Sequence, residues 1–340
     1  MHITTLTAAL VRELTLGGGT FVLSAASPAT TDPGSVQLLR NLGLDVYTGG
    51  DMENRHLQVL SHQPQLLVDV GFELVQTLLD KHFAQASKVR GAIEVTRSGI
   101  TRLRQRKNLP FPVVNINDGR LKKAVENRHG VGQGIWEAVS GITKMHLAGR
   151  RAAVVGYGPV GRGLAMYARA SGMAVEVVEL DPVRRLSAHY DGFPTPVLGD
   201  ALSRAKVVVT ATGTSRVVTA ALLEEARDGI VLINAGHGGD EIDVEGIRAA
   251  AVREDNISED VVRFRLREGP RVTVLGGGHP LNIVLNAGSP EPVLLHFAVA
   301  GLTLETLVDT DAPPGEILVP DAIENQAATL ALRALGAAGT

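Results

Sequence analysis

Ala152-Ala153-Val154-Val155-Gly156-Tyr157-Gly158-Pro159-Val160-Gly161-Arg162-Gly163, closed by Glu179-Leu180-Asp181-Pro182, reads as a buried strand, a glycine turn, a helix, a second strand and an acidic tip. Gly156 permits the tight turn and Gly158 lets backbone amides approach a pyrophosphate. Gly161 lets the following helix, opened by Pro159 and Val160, pack on its strand with its positive end over the phosphates. Glu179 falls at about the 20-residue spacing of a carboxylate that binds a ribose 2′-hydroxyl. Such a carboxylate repels a 2′-phosphate, so the cofactor expected is NAD and not NADP.

Working outward, the motif begins near the middle of the chain, so another unit folds before it. Apolar runs at 20–23, 44–47, 65–70, 91–95 and 113–116 read as short buried strands, with helical patterns at 35–41 and 74–82 between them. A second series follows at 152–155, 174–179, 206–210 and 230–234, with helices starting near Val160, Ala220 and Val244. Segments 261–266 and 271–275, separated by Arg267-Glu268-Gly269-Pro270, read as a hairpin appended to the second sheet. Helical segments at 292–308 and 322–335 either return to the first domain or pack on a neighbouring subunit. The expectation is α/β: two doubly wound Rossmann-like domains, the NAD domain inserted into a discontinuous substrate domain. Its bounds are 1–117 with 289–320 for the substrate domain, 118–132 for a hinge, 133–288 for the NAD domain and 321–340 for a C-terminal helix and tail.

Composition narrows the chemistry. The 340 residues are 44% hydrophobic with formal charge −3, enough for two cores and too balanced for a nucleic-acid or membrane-surface protein. With no cysteine, a disulfide scaffold, a thiol nucleophile and cysteine-ligated metal are excluded, leaving acid, base and hydride chemistry. There is no signal-peptide pattern and no uninterrupted apolar run of spanning length, so the cytoplasm is the expected location. No metal is expected.

Polar groups concentrate where strands end. Asn115-Ile116-Asn117-Asp118 leads to Lys122, Glu126-Asn127 and His129-Gly130, just before the long helix into the second domain. On its own, Lys122 reads equally as a solvated helix charge or as a site residue. Ala235-Gly236-His237-Gly238-Gly239-Asp240-Glu241 follows the strand 230–234, which puts His237 at a carboxyl edge where such sheets bind ligands.

Together with Thr210-Ala211-Thr212-Gly213, Asn234-Ala235-Gly236-His237, Glu241-Ile242-Asp243, Leu60-Ser61-His62-Gln63-Pro64, Gly99-Ile100-Thr101-Arg102-Leu103 and Val319-Pro320, these stretches resemble S-adenosylhomocysteine hydrolases over nearly the whole chain. The resemblance implies a tightly held NAD that oxidises a ribose 3′-hydroxyl and so acidifies the 4′-hydrogen. The 5′-substituent is then eliminated, water adds and the ketone is reduced. It places His2 near the 5′ leaving group with Thr4 beside it, Lys122 at the 3′-hydroxyl with Glu126 and Asn127 as partners, and His237 as the second histidine. Around the cofactor it places Thr96, Ser98, Asn127, Gly156, Gly158, Pro159, Val160, Gly161, Glu179, Thr212, Gly213, Gly236, His237 and Asn282. A homo-oligomer, dimer or tetramer, is also implied.

The chain departs from the family mainly at the substrate side, for which Thr4, Ser27, Val70, Val95 and Ser289 are the candidates. Val70 in Asp69-Val70-Gly71 replaces a carboxylate near the reacting sugar carbons, and Val95 in Glu94-Val95-Thr96 replaces the carboxylate that holds the ribose. Leu6 stands for a glutamate, Glu126 for an aspartate, Val131 for a cysteine, and Ser289 where a Gly-His-Pro histidine reaches the base. Apolar replacements leave no orphan charge, which points to a pocket rebuilt for another nucleoside. The expected activity is oxidation, elimination and re-reduction without water addition, a nucleoside dehydratase or lyase of the angustmycin C to angustmycin A type. The alternatives are a true adenosylhomocysteinase and an NAD-binding pseudoenzyme or regulator.

Overall fold

Val- and Ala-rich runs too short for helices form the strands, and helices cover their faces. The computed structural model describes residues 1–236 and 240–336. They divide into two compact units, Met1–Glu126 with Pro290–Thr340, and Asn127–Ser289.

The chain starts in the first unit. Strands β1 (Val22–Ser24) and β2 (Asp45–Tyr47) pair in parallel as a two-stranded ladder. Strands β3 (Leu66–Asp69), β4 (Gly91–Glu94) and β5 (Pro112–Asn115) form a separate parallel sheet. The first strands are therefore all present, divided between two ladders.

In the second unit β6 (Arg151–Val155), β7 (Ala174–Val178), β8 (Val207–Thr210) and β9 (Ile230–Asn234) are parallel, and β10 (Ala251–Ser258), β11 (Val261–Leu266) and β12 (Arg271–Leu275) extend the sheet as a meander. The order β10-β11-β12-β9-β8-β6-β7 reverses direction at β6, so the carboxyl end of β6 is the switch point where a doubly wound sheet binds its ligand. The glycine turn starts there. The hairpin β11–β12 forms as read, whereas β10 goes beyond the sequence expectation. It carries Arg253-Glu254-Asp255 and little apolar alternation, the composition of a charged edge strand that resists pairing with another chain. Helices Gly132–Thr143 and Pro159–Ala170 cross at glycines: a Cβ on Gly132 would lie 2.8 Å from Gly163 C, and Trp136 Nε1 donates to Leu164 O at 3.0 Å.

The chain then returns to the first unit. Helix Glu291–Asp309 packs against β4, where a Cβ on Gly91 would sit 2.9 Å from Leu307. It is the one helix among the described residues long and apolar enough to cross a membrane. Here its His296, Phe297, Val299, Ala300, Thr303 and Leu307 are buried. Strand β13 (Gly315–Leu318) completes the order β13-β5-β4-β3. The final helix, Asp321–Ala334, belongs to this unit too. Its buried Glu324 accepts from Leu121 N at 2.8 Å and Arg120 Nε at 3.2 Å.

Candidate active site

The second unit holds the dinucleotide turn. Gly156 has φ +98° at the end of β6, and a Cβ on Gly161 would meet Gly156 O at 1.9 Å, so the helix starts against the turn as only glycine allows. Gly158 is the N-cap of helix Pro159–Ala170 and makes no side-chain cap bond, which leaves first-turn amides, Val160 and Gly161 among them, facing outward for an anion. Glu179, its side chain 8% exposed, accepts from Tyr157 N at 2.7 Å, Leu180 N at 2.8 Å and Asp181 N at 3.0 Å. Arg184 Nε approaches the same carboxylate at 3.4 Å as an ion pair without hydrogen-bond geometry, so of the carboxylate's about four acceptor sites three are taken by hydrogen bonds and the fourth, beside Arg184, is the one a ribose hydroxyl would use. These residues fit NAD.

Three further strand ends gather beside the turn. Buried Glu241 accepts from Thr212 N at 3.0 Å, Thr212 Oγ1 at 2.9 Å and Gly213 N at 2.7 Å, and its Oε1 would lie 1.7 Å from a Cβ on Gly236. Gly236 N donates to Asn234 Oδ1 at 2.7 Å, and Asn234 Nδ2 donates to Gly278 O at 2.9 Å. This ties Thr212, Gly213 and Gly236 to the segment that carries Asn282 in the short helix Leu281–Val284. His237 lies outside the described residues.

In the first unit, carboxylates at the ends of β3 and β4 build the loops. Asp69 accepts from Val70 N and Val75 N, both at 2.8 Å. Glu94 accepts from Gly71 N at 3.2 Å, Phe72 N at 2.7 Å, Thr96 N at 2.7 Å and Thr96 Oγ1 at 2.6 Å. Burial pushes Asp69 up to about 6, against the pull of its backbone amides. Burial and the charge of Asp69 push Glu94 up to about 7. Thr96 caps helix Arg97–Gln105, accepts from Gly71 N at 2.9 Å and lies 3.3 Å from Ser98 Oγ. Val70 is buried and Val95 half-buried on these same loops. At the N-terminal side, His2 Nδ1 hydrogen-bonds Thr30 Oγ1 at 2.7 Å, Thr4 caps helix Thr5–Leu16, and Ser27 caps the short turn Pro28–Thr30.

Lys122 and Glu126 lie in a π-helix, Lys122–Val131, that also holds Asn127 and spans the boundary between the two units. Such helices are rare and frequently occur at functional sites. Lys122 Nζ is 2.5 Å from Glu126 Oε2, and His296 Nδ1 approaches the same oxygen at 3.5 Å. All three side chains are nearly buried. Burial raises the pKa of Glu126, but the charges of Lys122 and His296 outweigh it and hold the group below the usual carboxylate range. Burial and then the Lys122 ammonium push His296 down to about 4, so its ring is neutral near pH 7.

A sequence model of the S-adenosyl-L-homocysteine hydrolase NAD binding domain matches residues 127–288. The adenosylhomocysteinase of Nostoc sp. is 34% identical over 347 residues, covering 98% of this chain and 82% of that protein. The S-inosyl-L-homocysteine hydrolase of Methanopyrus kandleri is 32% identical, covering 99% and 82%. The chain belongs to the S-adenosylhomocysteine hydrolase family. As a member it is an NAD-binding enzyme. The crystal structure of a dipicolinate synthase chain from Bacillus halodurans aligns with TM-score 0.50 at 13% identity, covering 90% of this chain and 96% of that one, which is a likeness of fold alone.

Within this S-adenosylhomocysteine hydrolase family member, three residues of consequence escape the sequence reading. Gly278-His279-Pro280 is itself a Gly-His-Pro, anchored by Asn234, so His279 and not Ser289 carries that motif. Ser289 closes the second unit behind Gly288, which packs against Gly134. The signal for His279 stood in the sequence. Glu241 organises two cofactor loops, and nothing in its spacing distinguishes it from a surface acid. His296 falls in an apolar helical run 170 residues from Glu126 and reads as a core histidine until the helix is placed.

Proposed function

We propose that this enzyme removes water from the sugar of a nucleoside in a cycle that is redox-neutral overall, as a dehydratase or lyase of the angustmycin C to angustmycin A type. When bound, NAD supplies the oxidant that takes the 3′-carbon's hydrogen with its electrons and gives them back. The Lys122 ammonium takes up the 3′-hydroxyl proton as it gives one of its own to Glu126. The resulting ketone acidifies the 4′-hydrogen. That hydrogen leaves as a proton to solvent, with no side chain assigned as its base, and the 5′-hydroxyl takes a proton from a histidine, which solvent then reprotonates, and departs as water. His2, oriented by Thr30, is the described residue suited to that donation. Reduction of the ketone leaves a 4′,5′-unsaturated sugar.

The observation that carries this reading is the contrast between the two parts of the first unit's site. The Lys122–Glu126 pair is in place at 2.5 Å. Val70 and Val95 stand where carboxylates are expected, and the carboxylates beside them, Asp69 and Glu94, are committed to backbone amides. Each missing charge-assisted bond to a ribose forfeits about 1.5–3 kcal/mol. A bulkier sugar, such as a psicofuranose with its additional hydroxymethyl, gains that space.

Protein loaded with NAD is mixed in parallel with S-adenosylhomocysteine, adenosine and psicofuranosyl adenine, with absorbance at the reduced-nicotinamide band and mass spectrometry as readouts. Loss of one water without net nicotinamide reduction supports the dehydratase. Homocysteine release at useful turnover overturns it in favour of the second reading, an adenosylhomocysteinase, which the likeness of 98% of this chain to an enzyme of that name favours.

A further inference from the structure

We propose that Lys122, Glu126 and His296 form one buried relay that stores the 3′-hydroxyl proton during the cycle, with His296 as a positioning residue that acts through Glu126.

The argument starts from proton balance. A redox-neutral cycle on a sugar hydroxyl removes a hydrogen with its electrons from carbon and a proton from oxygen, and both must return. Bound NAD would be the store for the electrons. The proton needs its own store, close to the hydroxyl and shielded from water, or it exchanges with solvent and the final reduction waits for its return. A Lys122 ammonium beside a Glu126 carboxylate is charge-balanced and has no acceptor beyond the carboxylate. A neutral imidazole on the same carboxylate supplies one.

The geometry fits this role. Glu126 Oε2 lies between Lys122 Nζ, at 2.5 Å, and His296 Nδ1, at 3.5 Å. The side chains are 13%, 14% and 7% exposed for Lys122, Glu126 and His296. The charges that act on Glu126 are those of Lys122 and His296, and those that act on His296 are Lys122 and Glu126. Neither Lys122 Nζ nor His296 Nδ1 has hydrogen-bond geometry to Glu126 Oε2 in the resting arrangement, so both groups are poised beside the carboxylate and not locked to it. A glutamate is one methylene longer than the aspartate that the family resemblance implies, and that length carries the carboxylate to the histidine.

The sequence of transfers follows. As the C3′ hydrogen leaves with its electrons, the Lys122 ammonium gives a proton to Glu126 Oε2 and takes the O3′ proton in its place in the same step, and Oε2 hands its proton to His296 Nδ1, the ring nitrogen without a hydrogen in the neutral tautomer that this transfer requires. Lys122 and Glu126 end in their starting protonation states and His296 is imidazolium. Burial disfavours that cation, so the proton is returned when C3′ is reduced. No proton is gained or lost overall.

The test has two arms. In the first, which needs no substrate and does not depend on the proposed reaction, imidazole nitrogens of uniformly 15N-labelled protein are followed by NMR against pH, and His296 is identified by its absence in His296→Asn. The expected result is a neutral ring down to about pH 5, titrating higher in Lys122→Met and lower in Glu126→Gln. Identical titration in wild type and Lys122→Met overturns the relay even if the enzyme proves to be a dehydratase. In the second arm, NAD-loaded protein in weak buffer with a pH indicator is mixed with adenosine or psicofuranosyl adenine, and protons released are counted against nicotinamide reduced. In wild type, proton release is expected to lag behind nicotinamide reduction, and in His296→Asn to keep pace with it, with Glu126→Asp, which withdraws the carboxylate from His296 and keeps its charge, in between. Equal release in all three overturns the proposal. Absence of even transient nicotinamide reduction within the first turnover refutes the dehydratase reading and leaves the first arm to decide the relay.

Discussion

Gly161→Ala tests whether the glycine turn is the dinucleotide site. An ideal Cβ at this position lies 1.9 Å from Gly156 O and 2.8 Å from Gly156 C, whereas real Cβ contacts essentially never fall below 3.0 Å. Both atoms are backbone, so no side chain can swing away. Relief requires the turn to open from the helix by more than about 1 Å, which displaces the amides that meet a pyrophosphate. Overpacking costs about 1–3 kcal/mol, and a rigid backbone contact belongs near the top of that range. At 1.4 kcal/mol per tenfold, a cost of about 3 kcal/mol relieved only by opening the turn weakens NAD binding about 100-fold. The control is Gly149→Ala, with φ +76° and open space around its Cβ, where a left-handed backbone costs about 1 kcal/mol and leaves NAD affinity unchanged. Urea unfolding of NAD-free protein and calorimetric titration with NAD give the two numbers. A Gly161→Ala protein that binds NAD within threefold of wild type refutes the assignment of this turn, whatever its stability.

Restoring one carboxylate, in Val70→Asp or Val95→Glu, is expected to raise kcat/KM for S-adenosylhomocysteine relative to psicofuranosyl adenine by about 10–100-fold, and restoring both by about 10²–10⁴-fold, at one charge-assisted bond each; an unchanged ratio means these positions do not select the substrate. Glu94 has a folded pKa of about 7 against about 4.3 unfolded, so the native state keeps a proton the unfolded chain has lost and this group's contribution falls as pH rises through that window. The stability gap between wild type and Glu94→Gln, from urea unfolding, should therefore be widest near pH 4.5 and narrower at pH 8; a gap that widens with pH contradicts the buried-carboxylate account. Trp136→Phe removes the bond to Leu164 O at a helix crossing and should cost about 1–3 kcal/mol in urea with little change in NAD affinity, a result that tells core packing apart from site geometry.

The sequence by itself determined the doubly wound class, the NAD turn and most strands, because these depend on short-range patterns: apolar runs of strand length, glycines at fixed offsets and an acid about 20 residues on. It also revealed the departures Val70 and Val95, which are single-letter facts. Strand β10 escaped because an exposed edge strand has no buried face to leave a pattern. The tertiary structure alone decided that the last helix returns to the first unit, held by Glu324 on Leu121 N, and that Asp69 and Glu94 spend their charge on backbone amides. It alone decided that His296 faces Glu126. Residues 170 positions apart in sequence are brought to 3.5 Å by the packing of a helix, and no local pattern along the chain encodes that distance.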